Sequence, residues 1–139
     1  MRWVLAAAAI FVLAACSGPP TVLRPSPSAQ ASRLPLATLD LSDWDTGRTV
    51  QLLRGQGLSV RLHQPVGYTD WSSPQNTNPA VLAPRADTPA APAGVTVGSF
   101  RAAALGSAQL RATAQPVCAA GQDCPAARSW AVTVEVIQP

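Results

Sequence analysis

The chain has 139 residues, which is enough for one domain with a single modest core. Only 12% of the residues are charged, all ten basic residues are arginine, and the net charge of +3 is spread along the chain without a basic run. Binding to nucleic acid is therefore not expected, because phosphate contacts need clustered Lys and Arg.

The first sixteen residues, MRWVLAAAAIFVLAAC, have the pattern of an export signal. Arg2 precedes an apolar run over residues 3–15, which is shorter than the ~20 residues that a membrane-spanning helix needs. The stretch LAAC, which ends at Cys16, resembles the lipobox of bacterial lipoproteins, in which the cysteine thiol receives a diacylglycerol before cleavage. We predict a lipoprotein signal peptide over residues 1–15 and a lipid-anchored Cys16 on the extracytoplasmic face of the cell membrane. The alternative is ordinary secretion with a cut nearby.

Residues 16–35 are rich in Pro, Ser and Ala and contain few large apolar side chains. Such a composition cannot bury enough surface to offset the entropy of ordering the chain, so we predict a disordered linker that holds the domain away from the membrane. A Pro-rich ligand for a partner is the alternative. The remaining residues, 36–139, are predicted to form one domain.

The stretch DLSDWD brings three carboxylates close together, those of Asp40, Asp43 and Asp45. Such a cluster could hold calcium, but the spacing lacks the glycine and the distal Glu of a calcium loop. We therefore predict a turn that leads into the first hairpin, and no metal site.

Alternating stretches then predict short β-strands separated by turn residues. The stretch TVQLLRGQGLSVRLH, over residues 49–63, predicts a hairpin with a four-residue loop at 54–57 that contains two glycines. Further strands are predicted over residues 68–72 and 80–83, on either side of the turn-rich stretch SSPQNTNP.

Three longer strands are predicted over residues 95–104, 108–115 and 129–137. Alternation in the last two predicts these inward side chains: Ala108, Leu110, Ala112 and Ala114, then Trp130, Val132, Val134 and Val136. No stretch outside the leader has helical periodicity. About seven short strands at this spacing predict an all-β fold, an immunoglobulin-like β-sandwich.

Cys118 and Cys124 flank the stretch AAGQD. An even pair of cysteines in an exported domain predicts a disulfide, which would stiffen a protruding loop between the last two strands. A redox or metal pair is the weaker alternative, because the spacing is not CxxC and the chain has a single histidine.

That histidine, His63, is the one candidate for an imidazole base. It lies on the outward register of a strand, no spare cysteine is present for it to activate, and no GxSxG motif occurs. We therefore predict no catalytic site, no cofactor and no enzymatic activity.

The strand that holds His63 loses its alternation at Gln64, where the chain continues QPVGYTDW. In a sandwich, the segment that links strands of opposite sheets crosses one end of the fold. We therefore predict an exposed loop that presents Val66 and Tyr68, followed by a return of Trp71 to the core. Trp71 as a contact residue is the alternative.

Residues 55–71, GQGLSVRLHQPVGYTDW, resemble the opening of the chagasin-type inhibitors of papain-like cysteine proteases, whose pattern is a glycine, an alternating strand and an NPTTGY-W-like loop. The resemblance extends from Thr49 to Ile137 and includes GVTVGSF, LGSAQLRATA and the closing Val-rich strand. It implies an immunoglobulin-like sandwich that inserts three loops into the cleft of a protease.

The resemblance implies partner-binding residues in two loops of this chain. The second loop would run from Gly94 to Gly98, and the first would comprise Gln64, Pro65, Val66, Gly67 and Tyr68. The chain departs from the family pattern in three places: His63 or Gln64 stands in place of the leading Asn, the two threonines are missing, and AQPVCAAGQDCP replaces the third motif, Arg-Pro-Trp.

Two classes of function remain open from the sequence. The first is a monomeric, membrane-anchored module that binds a protein partner through its end loops, with a cysteine protease, which it would inhibit, as one candidate partner. The second is a structural or accessory protein of the cell envelope with no inhibitory activity.

Overall fold

The structure, a computed structural model, describes residues 36–139. The predicted signal peptide, the predicted linker and Cys16 lie outside these residues and stay predictions, as do the predicted domain boundaries. In the part of the chain that is described, no helix is long and apolar enough to cross a membrane.

Eight strands and one short 3-10 turn make up the domain. In chain order they are β1 (Leu39–Ser42), the 3-10 turn (Asp43–Asp45), β2 (Thr49–Leu53), β3 (Gly57–His63), β4 (Gln75–Asn76), β5 (Leu82–Pro84), β6 (Val95–Ala102), β7 (Gly106–Ala114) and β8 (Arg128–Ile137). One sheet has the strand order β1-β3-β6-β5 and the other has the order β2-β8-β7-β4. The pairs β1–β3 and β2–β8 are parallel, and all other strand pairs are antiparallel. The predicted immunoglobulin-like sandwich is confirmed, with eight strands in place of about seven.

The core lies between the two sheets, where the alternating side chains of the long strands meet. The inward faces predicted for β7 and β8 are confirmed, since all eight of those side chains are buried. Leu58, Val60 and Leu62 of β3 and Phe100 of β6 complete the core from the opposite sheet. Each strand therefore has the period of two that one buried face requires.

The predicted hairpin of residues 49–63 is wrong, although both of its strands exist. β2 pairs with β8 in one sheet, whereas β3 pairs with β1 and β6 in the other. The connection crosses the end of the sandwich: the N–H of Arg54 donates to the carbonyl of Ile137 in one sheet, and the N–H of Gly55 donates to the carbonyl of Ala102 in the other. Gly55 has a φ of +92°, which a glycine adopts without strain and which turns the chain between the sheets.

The predicted strand over residues 68–72 is also wrong, because this segment runs beside β7 without forming a regular ladder. Side-chain hydroxyls of Thr69, Ser72 and Thr77 accept the N–H groups of Gln115, Thr113 and Gln109, respectively, at 2.8–3.1 Å. A hydroxyl takes the place of the partner carbonyl at each position. These backbone N–H groups along β7 are therefore hydrogen-bonded without a regular strand ladder. Only Gln75 and Asn76, in the stretch predicted as turns, pair regularly with β7 as β4.

Candidate protein-binding end of the sandwich

Four connections meet at the end of the sandwich where β3 finishes and β6 begins. They are the Asp43–Asp45 turn and the segments 64–74, 85–94 and 115–127. The N–H of Gln64 donates to the carbonyl of Gly94 at 2.7 Å, and the N–H of Val117 donates to the carbonyl of Gly67 at 2.9 Å. We call this surface the loop end.

The structure places Gln64, Pro65, Val66 and Gly67 in a turn directly after β3. The N–H of Tyr68 donates to the carbonyl of Pro65 at 3.0 Å, and Gly67 has a φ of +80°. Because this turn points away from the core, Val66 is 99% exposed. The predicted exposure of Val66 is confirmed, and its role in binding stays a prediction.

Tyr68 is less exposed than predicted. It packs against the core, its hydroxyl donates to the carbonyl of Ala126 at 3.2 Å, and the guanidinium of Arg128 lies 4.9 Å from the centre of its ring. The expectation of an exposed contact residue is therefore wrong for most of this side chain. An amphipathic ring beside a neighbouring segment gains more from packing there than from contact with water.

The predicted second loop, from Gly94 to Gly98, is wrong over most of its length. Gly94 does precede β6, with a φ of +76°, and its carbonyl joins the first loop. Gly98 instead lies within β6 opposite Val60, and it is buried. A Cβ at this position would lie 3.1 Å from the rings of Phe100 and Pro74. Gly98 therefore leaves room for core packing and cannot contact a partner.

Segment 115–127 holds the predicted disulfide, which is confirmed between Cys118 and Cys124. Closing a seven-residue loop stabilises a fold by about 2.4 kcal/mol in the chain-entropy estimate. The bridge begins directly after Val117, whose side chain is 67% exposed beside the first loop. It therefore restrains a segment that presents an apolar side chain at the loop end.

Trp44 is the prominent feature of the loop end that sequence reasoning missed. It is the middle residue of the Asp43–Asp45 turn and is 89% exposed. Large aromatic side chains are usually buried to a high degree, so this exposure is informative. The available signal was a tryptophan flanked by aspartates in a predicted turn.

Hydrogen bonds on both sides of Trp44 hold the turn. The carboxylate of Asp45 accepts the N–H and the hydroxyl of Ser42 at 2.8 and 3.0 Å, and it pairs with Arg48 at 2.7 Å. These contacts, the Ser42 N–H first, hold the pKa of the Asp45 carboxyl below its usual value. Because these contacts favour the ionised form of Asp45 in the folded state, they stabilise the fold. This stabilisation is complete above the pKa of an unfolded aspartate and is lost as the pH falls through the lower folded-state pKa.

Asp43 connects the turn to the end of β3. One of its carboxylate oxygens accepts the N–H of His63 at 2.7 Å, and the other lies 3.2 Å from Nδ1 of the imidazole. The two carboxylates of the turn thus have separate partners, and in residues 36–139 no three acidic, histidine or cysteine side chains converge as metal ligands. The predicted turn is confirmed, but it leads from β1 to β2 and not into a hairpin.

A groove of about 510 Å³ at the loop end is lined by Trp44 and Val66. Trp71 and Trp130 line it from the core side, and Arg128 and His63 are also among its lining residues. Its walls therefore combine aromatic surface with a few polar groups, which is the composition of recognition sites. Residues of the turn, of the first loop and of β8 all contribute to its lining.

No protein-family model and no curated protein sequence matches the chain. Among solved structures, the chain is similar to the cysteine protease inhibitor EhICP2 from Entamoeba histolytica, with 12% identity, a TM-score of 0.53 and coverage of 73% of this chain and 97% of that one. It also matches the solution structure of amebosin, with 16% identity, a TM-score of 0.40 and coverage of 75% of this chain and 100% of that one. The domain therefore shares its fold with a cysteine protease inhibitor, the fold that its resemblance to the chagasin type implied.

Proposed function

We propose that the domain binds a protein through its loop end and that the partner is a papain-like cysteine protease, which it inhibits. The observation that carries this proposal is the exposure of Trp44, Val66 and Val117, which come from three separate connections and share one end of the sandwich. Exposed apolar side chains of this size, gathered beside a groove, are characteristic of protein-binding surfaces.

The architecture supports a rigid, wedge-like binding element. The first loop is joined to Gly94 and to Val117 by backbone hydrogen bonds, and the disulfide restrains the segment that follows Val117. Loops that are already held in place lose little conformational entropy on binding, which favours affinity. A set of loops on one end of a sandwich fits a concave partner such as a protease cleft.

The choice of a protease as partner rests on likeness of fold together with the sequence resemblance. A shared fold alone does not establish a shared activity, because unrelated functions occur on the same sandwich. The loop end adds an independent physical reason to expect a protein partner, since three large apolar side chains are exposed on connections that meet at one end of the fold.

Replacing Val66 with aspartate tests the proposal. The variant should raise the inhibition constant of the full chain against papain at least about 30-fold, because a charge would be buried against the partner without a counter-charge. The melting temperature should stay nearly unchanged, since Val66 makes no core contact.

Leu105→Asp is the matched control, because Leu105 is 45% exposed and lies between β6 and β7 at the opposite end of the domain. This variant should inhibit like the parent protein. Absence of inhibition by the parent protein at micromolar concentration, or equal inhibition by the Val66→Asp variant, would contradict the proposal.

The alternative function is a structural or accessory role in the cell envelope without inhibition. The observation that favours it is the inward placement of Tyr68, which removes one predicted contact residue from the first loop. A parent protein that fails to inhibit papain but is cross-linked through Val66 to another envelope protein would support this alternative.

We further propose that the domain is held at the extracytoplasmic face of the membrane by a lipid on Cys16. The predicted lipobox supports the anchor. The described chain begins at Leu36, which lies beside Gly55 at the end of the domain opposite the loop end.

The Cys16→Ser variant tests the anchor. The protein should then lose its lipid and either be released or remain as the precursor, because the thiol that would receive the diacylglycerol is absent. Partition of the protein into the detergent phase on extraction measures this. Detergent partition of a Cys16→Ser protein that has lost its leader would show that the lipoprotein interpretation is wrong.

A further inference from the structure

We infer that the Asp43–Asp45 turn is an additional contact element of the loop end and that Trp44 is its anchor, packing against an apolar wall of the partner's cleft. This inference rests on the proposed function, and it concerns a part of the chain that precedes the region of family resemblance, which begins at Thr49. Three structural observations support it: the hydrogen bonds that hold the turn, the position of Trp44 beside the groove, and the charge of the loop end.

The turn is held from three directions. Asp43 connects it to β3 through the N–H of His63, and the N–H of Gly47 donates to the carbonyl of Ala131 in β8 at 2.7 Å. From the core, Nε1 of Trp130 donates to the carbonyl of Ser42 at 3.0 Å. The backbone that carries Trp44 is therefore restrained by both sheets, so the indole is presented at little further cost in backbone entropy.

Trp44 and Val66 both line the groove. An indole that is 89% exposed has almost all of its surface available to a partner. Tryptophan is the residue type most enriched among interface positions that dominate binding energy, because it combines large apolar area with few rotatable bonds. An apolar wall of the partner's cleft can contact Trp44 and Val66 at the same time.

The charge of the loop end indicates what charge the rim of the partner's cleft should carry. The described residues of its four connections carry five carboxylates, those of Asp43, Asp45, Asp70, Asp87 and Asp123, and the cations on or beside them are Arg48, Arg61, Arg85 and Arg128. Asp87 and Arg85 form an ion pair. Asp45 and Arg48 neutralise each other. The loop end is therefore nearly neutral, and the partner surface that fits it is an apolar cleft wall with a rim of low net charge.

The test measures inhibition of papain by the full chain and its Trp44→Ala, Trp44→Phe and Leu105→Ala variants. Trp44→Ala should raise the inhibition constant at least about 30-fold, in the range of a dominant interface residue. Trp44→Phe should retain most of the affinity, with a loss of less than about 5-fold, because an aromatic ring still fills the wall contact. Leu105→Ala should change nothing, and all variants should keep the parent melting temperature.

The outcomes separate the inference from the proposed function. Equal inhibition by the parent protein and the Trp44→Ala variant would overturn the role of Trp44 and leave the inhibitor proposal standing. A parent protein that does not inhibit papain would overturn both. A loss of affinity that is accompanied by a lower melting temperature in Trp44→Ala would also overturn the inference, because it would show that Trp44 supports the fold.

Discussion

The Trp71→Ala variant is expected to lose about 3–5 kcal/mol of its free energy of unfolding, the cost of removing a large buried aromatic side chain. Trp71 is 9% exposed and belongs to the core cluster, although it follows an exposed loop. Its Nε1 donates to the carbonyl of His63 at 2.8 Å, and its own carbonyl accepts the hydroxyl of Thr96 at 2.8 Å. The indole therefore fills the core and also fixes the return of the chain from the first loop.

Chemical denaturation of the purified protein measures this loss of stability. One further variant separates the contribution of apolar burial from that of the hydrogen bond, and another serves as a control. Trp71→Phe should cost about 1–3 kcal/mol, because most of the apolar burial remains while the carbonyl of His63 loses its donor. Trp44→Ala is the matched control at an exposed tryptophan and should change stability by less than about 0.5 kcal/mol. If Trp71→Ala were tolerated and Trp44→Ala were not, the assignment of core and surface would be reversed.

The Gly98→Val variant is expected to destabilise the domain by about 3 kcal/mol, at the upper end of the range for overpacked cores. Gly98 is not among the positive-φ glycines, so backbone strain plays no part. The first added carbon would already lie 3.1 Å from the rings of Phe100 and Pro74, and Phe100 is itself buried in the core. Two further methyl carbons would have to displace them.

Ser99→Val provides the control for Gly98→Val, since it adds a β-branched side chain at the neighbouring, outward position of β6. Its effect on the denaturation midpoint should stay within about 0.5 kcal/mol. Below its unfolding transition, the Gly98→Val protein should inhibit like the parent. A stable Gly98→Val protein with impaired binding would restore the sequence-based assignment of Gly98 to a binding loop.

The candidate site could be predicted from the sequence only in part. The loss of alternation at Gln64 correctly predicted an exposed turn with Val66 at its tip and Trp71 beyond it in the core. The same reasoning exposed Tyr68, and the family resemblance placed Gly98 in a loop, although alternation predicted a strand there; the exposure of Tyr68 and the loop position of Gly98 both fail. A glycine in an alternating strand and a tyrosine after a turn have two possible environments each, and the packing of distant residues decides between them.

Trp44 shows a different limit of sequence reasoning. Carboxylates close in sequence suggest a shared ligand, but the spacing of Asp43 and Asp45 predicts a turn and no metal site, and it gives no role to the residue between them. In the fold each has its own partner, His63 for one and Ser42 with Arg48 for the other. A contact with β3, 20 residues away, holds Asp43, and local contacts hold Asp45, so both aspartates support the tryptophan between them.

The sequence by itself determined that the domain is an all-β sandwich, which side chains of its long strands face the core, and that its two cysteines form a bridge. These properties follow from local alternation and from short spacing along the chain. Only the tertiary structure decided that β2 and β3 belong to opposite sheets, that Gly98 is buried, and that Trp44, Val66 and Val117 share one end. The physical reason is that hydrophobic alternation specifies which face of a strand is buried, while the identity of its hydrogen-bonding neighbour depends on residues far away in the chain.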